Sequence, residues 1–425
     1  MKNFKQARLS VITAAILGLA GAAMLPVSVY ADTPAADAAA TTEILRPEIK
    51  AILTAAKELN DAKKPSEAIA KLAETDAVAN KTPYEIFAID RTRADYYYAS
   101  GDKANAAKAF EAVVATNYLP KASQLNLFEA LGQLYFQLSD YPSTIKWLER
   151  YVKEGGPDPK GHEVLNNAYY LNKNFAEAYN GVDSQVQADI AAGKVPAEQS
   201  FRILASCKSE LKDDAGLLKS IELWNTYYPN AKNWLYLLGQ VHFKPGFSDR
   251  MYLDIFRLKT DLSLMKTGAE YLDMADLAGR AALPAEAKKA LDQGFAAGVL
   301  GKGADAKKHE SLLAAANKHA DEDLKSLDQG EVSANKSKDG NGLINLGMAF
   351  ATAGQLDKGA SLIEQGIAKG GLTKPEEAKL HLGVVYYWAG KKDAAIKQLQ
   401  TVTGTDGTGD LARYWIMQIN HPLAK

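Results

Sequence analysis

The sequence predicts an all-α solenoid, a stack of antiparallel helix hairpins, and three observations carry that expectation. Helical hydrophobic periodicity begins near Leu45 and continues almost to the end, with no stretch in the alternating, β-branched pattern of a strand. A short motif recurs at intervals of 34–39 residues. Pro and Gly breaks at 64–65, 155–157, 228–230, 244–246 and 370–371 are placed as short connections between helices.

The motif is clearest in residues 341–404. Leu346-Gly347 and Leu382-Gly383 are each followed three residues on by an aromatic, Phe350 and Tyr386. A second Gly stands seven after the first (Gly354, Gly390), a small residue at twelve (Gly359, Ala395) and a bulky apolar one at sixteen (Ile363, Leu399). A helix hairpin needs this layout. The first helix requires a small residue where its neighbour approaches, an aromatic to fill the groove and a turn; the second requires a small residue at the crossing. Sliding the template back places the close-approach position at Ala56, Ala94, Gly132, Asn166, Ala205, Gly239 and Ala275. The gap from Ala275 to Gly347 leaves room for one further unit. The residues assigned to hairpin packing are Ala94, Tyr97, Ala106, Phe110, Gly132, Tyr135, Gly239, Gly347, Phe350, Gly383, Tyr386 and Ala395.

In chain order, 1–31 read as a cleaved secretory signal. Lys2, Lys5 and Arg8 precede an apolar run over 11–25, and Val29-Tyr30-Ala31 ends in a small residue suited to cleavage. That run is short for a membrane span and Pro26 breaks it. No integral membrane segment is expected after cleavage, and the expected location is the periplasm. Residues 32–44 read as a flexible leader, 45–243 as an N-terminal array, 244–340 as degenerate helical repeats with a longer loop, and 341–425 as a C-terminal hairpin pair with a helix closing the open end. Within the middle region, 244–267 reads as a longer or displaced helix pair, 314–327 as a helix and 333–342 as a loop.

Loss of 1–31 removes three positive charges and takes the formal net charge from -1 to -4. Neither value marks a nucleic-acid or anionic-lipid surface, so no nucleic-acid partner is expected. Cys207 is the only cysteine, which rules out an internal disulfide, and it reads as a small buried thiol. The six histidines are scattered without ligand spacing, and no phosphate-cradling glycine loop is present. No catalytic residues, metal or cofactor are expected. His381, just before Leu382-Gly383, is expected at a helix–helix contact.

The aromatics carry the partner reading. Tyr96, Tyr97 and Tyr98 span about 200° of a helix, so with Tyr97 in the groove position Tyr96 or Tyr98 leans to another face. Adjacent aromatics recur at Tyr169-Tyr170 and Tyr386-Tyr387-Trp388. Tyr and Trp give large contact area at modest entropy cost. The partner-binding candidates are therefore Tyr96, Tyr98, Tyr170, Tyr387 and Trp388, with Asn126 and Asn167 as hydrogen-bonding groups.

Leu382, Gly383, Tyr386, Gly390, Ala395 and Leu399, and less fully Leu131, Gly132, Tyr135 and Leu148, resemble the tetratricopeptide repeat. The resemblance is strongest at 341–403 and 94–155; the Trp that the family places near the start of its first helix is mostly missing. It implies a right-handed superhelix whose concave face, built mainly from the first helix of each pair, holds a peptide or another protein. The secreted, Ala-rich opening with about ten degenerate units is also similar to the tetratricopeptide proteins that accompany TonB–ExbB–ExbD energy-transducing systems. That likeness implies a non-enzymatic accessory role in uptake across the outer membrane. Outer-membrane assembly and polysaccharide export use similar arrays, and an envelope hydrolase on a helical-repeat frame is the rival class.

Overall fold

The computed structural model describes residues 44–424. The expected signal segment and all but the last residue of the expected leader lie outside them.

Among the described residues there are twenty α-helices and no strand. They are α1 (Pro47–Asp61), α2 (Pro65–Ala73), α3 (Pro83–Ser100), α4 (Lys103–Ala115), α5 (Lys121–Gln137), α6 (Tyr141–Lys153), α7 (Pro159–Leu171), α8 (Phe175–Ala191), α9 (Glu198–Glu210) and α10 (Asp214–Tyr227). They continue as α11 (Ala231–Gln240), α12 (Tyr252–Asp261), α13 (Gly268–Arg280), α14 (Pro284–Ala296), α15 (Ala306–Lys336), α16 (Asn341–Thr352), α17 (Leu356–Lys369), α18 (Pro375–Trp388), α19 (Lys392–Leu399) and α20 (Thr408–Asn420). α1 and α2, α3 and α4, α5 and α6, α7 and α8, α13 and α14, α16 and α17, and α18 and α19 pair as antiparallel hairpins, an all-α arrangement of the tetratricopeptide type. The close-approach positions fall on the first helices of these pairs, apart from Ala205 on α9 and Gly239 on α11.

The glycines show why. A β-carbon added at Gly132 meets Leu148 Cγ at 2.3 Å, and one at Gly383 meets Leu399 Cγ at 2.6 Å. At Gly347 it meets Ile363 Cγ1 at 2.6 Å and the Gly359 carbonyl oxygen at 2.7 Å. The α7–α8 pair inverts the arrangement. Asn166 occupies the first-helix position, and a β-carbon at Gly181 of the second helix would lie 1.9 Å from its Oδ1. Gly239 departs from expectation, because a β-carbon there meets nothing within 4 Å. It is not at a close approach, since the chain after α11 turns into a short 3-10 segment (Val241–Phe243) without folding back as a hairpin.

The turn seven residues after each close-approach position adopts a left-handed backbone every time, whatever residue is there. Gly101, Gly246, Gly354 and Gly390 do so without cost, but Lys63 (φ 60°), Ser139 (60°), Lys173 (65°), Lys212 (57°) and Ala282 (55°) do so as well. An L-residue in that region costs about 1–2 kcal/mol, partly offset by the greater freedom glycine has in the unfolded chain. We expect Ala282→Gly to stabilise its unit by roughly 0.5–1 kcal/mol, read as a higher urea midpoint at unchanged m-value. A lower midpoint would contradict this account of the turn.

The chain divides into two compact units, one through Leu217 and one from Leu218 onward. In the first, Ala56, Ala68 and Leu72 of α1 and α2 pack with Tyr96 of α3. Farther along, Phe128, Leu131, Trp147 and Tyr151 form a second core with Tyr97, Phe110 and Tyr135 packed at its edge. Ala94 and Ala106 are wholly buried. The start of α3 is tied to the start of α1: Arg46 donates from Nε to Glu85 Oε1 (2.9 Å) and from Nη2 to Glu85 Oε2 (2.8 Å). Glu85 also completes a capping box with Thr82. Hydrogen bonds from Arg46, outweighing burial, hold the Glu85 carboxyl at about 2. A lowered folded-state pKa stabilises fully above the ordinary carboxylate value and loses its effect as pH falls toward the lowered one. The stability gap between wild type and Glu85→Gln should therefore be constant above about pH 5 and shrink between there and about pH 2. A gap unchanged over that window would contradict the assignment.

In the second unit, α13 pairs with α14, α16 with α17 and α18 with α19. Two expectations are corrected here. The segment 244–267 is not a helix pair; it is a loop, a 3-10 turn (Asp249–Met251) and the single helix α12. The charged region before 341 is the 31-residue α15, which packs on α14 and α16 and stays helical through Lys336. It fills the place of the extra hairpin, and the expected loop at 333–342 shortens to 337–340. A one-sided stripe keeps it whole: Leu313, Ala316, Leu327 and Ala334 face the core, with no proline to interrupt them. The last helix, α20, packs on the final pair, α18 and α19. It is buried on several sides, with Leu411, Tyr414 and Trp415 wholly enclosed, and it also packs against α12. Tyr414 donates to Glu222 Oε1 (3.2 Å) and its ring meets Trp234 edge-on.

The unit's first and last segments are thereby joined. Ser248 N donates to the Asp406 carbonyl oxygen (2.9 Å), Lys244 pairs with Asp410 (2.6 Å), and Arg250 pairs with Glu377 (2.6 Å) and with Asp406.

Candidate functional site in the C-terminal unit

α12 packs on α13 and α20, and its polar side chains reach Glu286 of α14 and His381 of α18. There a four-residue charged cluster is buried, with Asp254, Arg257, Glu286 and His381 each no more than 8% exposed. Arg257 donates from Nε to Glu286 Oε1 (2.8 Å) and from Nη2 to Oε2 (2.7 Å), and its Nη1 reaches Asp254 Oδ1 (2.8 Å). His381 Nε2 lies 3.1 Å from both Arg257 Nη1 and Asp254 Oδ1. Burial pushes the Asp254 carboxyl up, but His381 and Arg257 outweigh it and hold the group well below the usual carboxylate range. The guanidinium is raised further above its ordinary value by Glu286 and Asp254. Both carboxylates are committed to the cation between them, the arrangement of a structural pin. His381 is thus at a helix–helix contact.

Two cavities adjoin the cluster, and Arg257 lines both. One, of about 510 Å³, is bounded by Thr260, Asp261, Met274, Lys289, Tyr387 and Trp388 among others. The other, of about 500 Å³, lies toward Arg250, Arg280, Asn345, Met348 and Glu377. Tyr387 is oriented by donating to Asp261 Oδ2 (3.3 Å) and by packing on the Trp415 ring (5.5 Å between centroids).

Of the partner-binding candidates, Tyr387 and Trp388 meet at one cavity. Tyr98 (40% exposed) and Asn126 are on the surface, and Asn167 is half-buried. Tyr170 is pinned between helices, its hydroxyl 2.6 Å from Ser206 Oγ and its ring against Phe175. Tyr96 is corrected from surface to core: at 7% exposed, it packs on the first hairpin. The groove aromatics divide between full burial (Phe350) and half-burial (Tyr386). Gly347, Gly383 and Ala395 are buried at the hairpin crossings. Cys207 is fully buried and burial pushes its thiol up to about 12, which leaves it unreactive near neutral pH. Nothing in the sequence marks Arg257, Asp254 and Glu286; within DIFRLKTD and PAEAKK they look like ordinary surface charges.

Among the described residues no group of three or more His, Cys, Asp or Glu side chains is placed to hold a metal ion. No helix there is long and apolar enough to cross a membrane.

Two stretches, 91–159 and 344–407, match the tetratricopeptide repeat family model, and they are those in which the sequence resemblance is fullest. The solved structures similar to the chain include a tetratricopeptide repeat protein from Parabacteroides merdae, at 10% identity over 80% of this chain and 99% of that one, TM-score 0.29. Another is the C-terminal part of a repeat-containing protein from Cytophaga hutchinsonii, at 16% identity over 77% and 98%, TM-score 0.25. Yeast Tom70 is similar at 12% identity over 88% and 95%, TM-score 0.21. No curated protein matches the sequence.

Proposed function

We propose that the protein is a non-enzymatic periplasmic scaffold that binds a protein or peptide partner of the cell envelope, and that it serves a TonB-dependent uptake system. The observation that carries the binding reading is the cavity of about 510 Å³ that Tyr387 and Trp388 line together with residues of α12, α13, α14 and α16. Large apolar rings beside a few oriented polar groups are the usual make-up of a recognition pocket. The nearby acids Asp254 and Glu286 are held by Arg257, which disfavours acid–base work there. The periplasmic reading is supported by the charge and apolar pattern of residues 1–31, and the TonB reading by the whole-chain resemblance alone.

The test is capture from envelope extract with the wild-type chain and with Tyr387→Ala and Trp388→Ala, each shown by circular dichroism to stay folded. We expect TonB-system proteins with the wild type and at least tenfold less with either variant, since aromatic anchors are commonly worth about 2 kcal/mol or more. Outer-membrane assembly or polysaccharide-export proteins in their place would replace the TonB assignment. Equal capture by all three chains would remove the cavity from the reading. A mature N-terminus at Asp32 in the periplasmic fraction checks the location.

A further inference from the structure

Arg257 of α12, paired with Asp254 and with Glu286 of α14, forms a buried ion cluster at the edge of two cavities. The cavities measure about 510 and 500 Å³, each of a size for a compact group. The one beside Tyr387 and Trp388 has a definite chemistry. Its apolar lining is Met274, Ala351, Leu356 and the two rings. The Thr260 hydroxyl donates to Met274 Sδ (3.5 Å), which fixes the thioether in the wall.

The charges in the lining differ in how far they are engaged. Glu286 has both oxygens on Arg257, and Asp261 accepts from the Tyr387 hydroxyl and from Gln418 Nε2 (3.1 Å). Lys288, next along α14, is paired with Asp292 (2.6 Å). Lys289 is exposed at the cavity and makes no ion pair among the described residues. A cation beside an apolar, aromatic compartment selects an anion attached to a ring-sized apolar group.

We propose that this compartment takes one aromatic side chain of a partner segment, and that an adjacent Asp or Glu of the same segment pairs with Lys289. The proposal rests on the reading of the protein as a partner-binding scaffold and adds the recognition element. Burial of the ring supplies most of the affinity, and the ion pair at the rim supplies the preference for an acidic neighbour.

The full chain is titrated by calorimetry and by fluorine NMR with acetyl-Gly-Gly-Phe-Glu-Gly-Gly-amide carrying a 4-fluoro label on the ring. Companion peptides replace Phe by Ala or Glu by Gln. The expected result is saturable binding of the parent peptide and at least tenfold weaker binding of the Ala peptide. The Gln peptide should bind about three- to fivefold more weakly. Lys289→Gln should bind the Glu and Gln peptides alike, Trp388→Leu should bind neither, and Val195→Ala, at an exposed site in the other unit, should match the wild type. Equal binding of the Glu and Gln peptides by the wild type overturns the acidic preference while leaving the scaffold reading standing. Failure of every aromatic peptide to bind a folded chain that still captures its partner through Tyr387 overturns the single-ring occupant. Loss of that capture as well removes the scaffold reading.

Discussion

Gly347→Ala is expected to destabilise the C-terminal unit by about 2–3 kcal/mol, whereas Gly239→Ala is expected to stabilise it by up to about 1 kcal/mol. Both glycines occupy the same position of the repeat, so the opposite signs come from what lies opposite them. A β-carbon at Gly347 would lie 2.7 Å from the Gly359 carbonyl oxygen and 3.0 Å from Ile363 N. Those are backbone atoms, which move only if the α16–α17 hairpin opens. Gly239 has nothing within 4 Å, so alanine there brings only its better helix propensity. Urea unfolding of the two variants, followed by a probe in the C-terminal unit, reads both signs. Shifts in the same direction would contradict the hairpin geometry.

Arg257→Met is expected to cost about 3–5 kcal/mol, because it leaves Asp254 and Glu286 buried without their cation. In a unit of this size that is a fall in Tm on the order of 10 °C. The triple variant Asp254→Leu, Arg257→Met, Glu286→Leu should recover most of the loss, since an apolar replacement has no desolvation to repay. Failure to recover would mean that the cluster stabilises beyond its own charge balance. The pH dependence has a definite sign. The Asp254 carboxyl is held below its ordinary value, so its contribution is complete above about pH 4 and is lost only as pH falls further. In Arg257→Met that low-pH loss should be much reduced.

The hairpin register was legible in the chain because it depends on local spacing. Gly132, Gly347 and Gly383 face residues only sixteen positions away, and one turn of constant length brings them together. Where the spacing held but the partner was absent, as at Gly239, the pattern alone misled. The tyrosines were legible as a set but not one by one. Tyr96 and Tyr98 differ by 200° of helix rotation, and which of them meets a neighbour depends on where the first hairpin lies. The buried cluster was not legible at all. Asp254 and His381 are 127 residues apart and meet only because α20 and the loop before α12 draw the ends of the unit together.

The sequence by itself determined the all-α class, the hairpin period and the side each helix buries. These follow from 3.6-residue periodicity and the size of residues at short, regular separations. Only the tertiary structure decided that α15 is one long helix, that α20 also meets α12 and that Arg257 of α12 lines two cavities. Those outcomes depend on which apolar surfaces remain uncovered once the hairpins have stacked, a quantity set by many distant contacts at once.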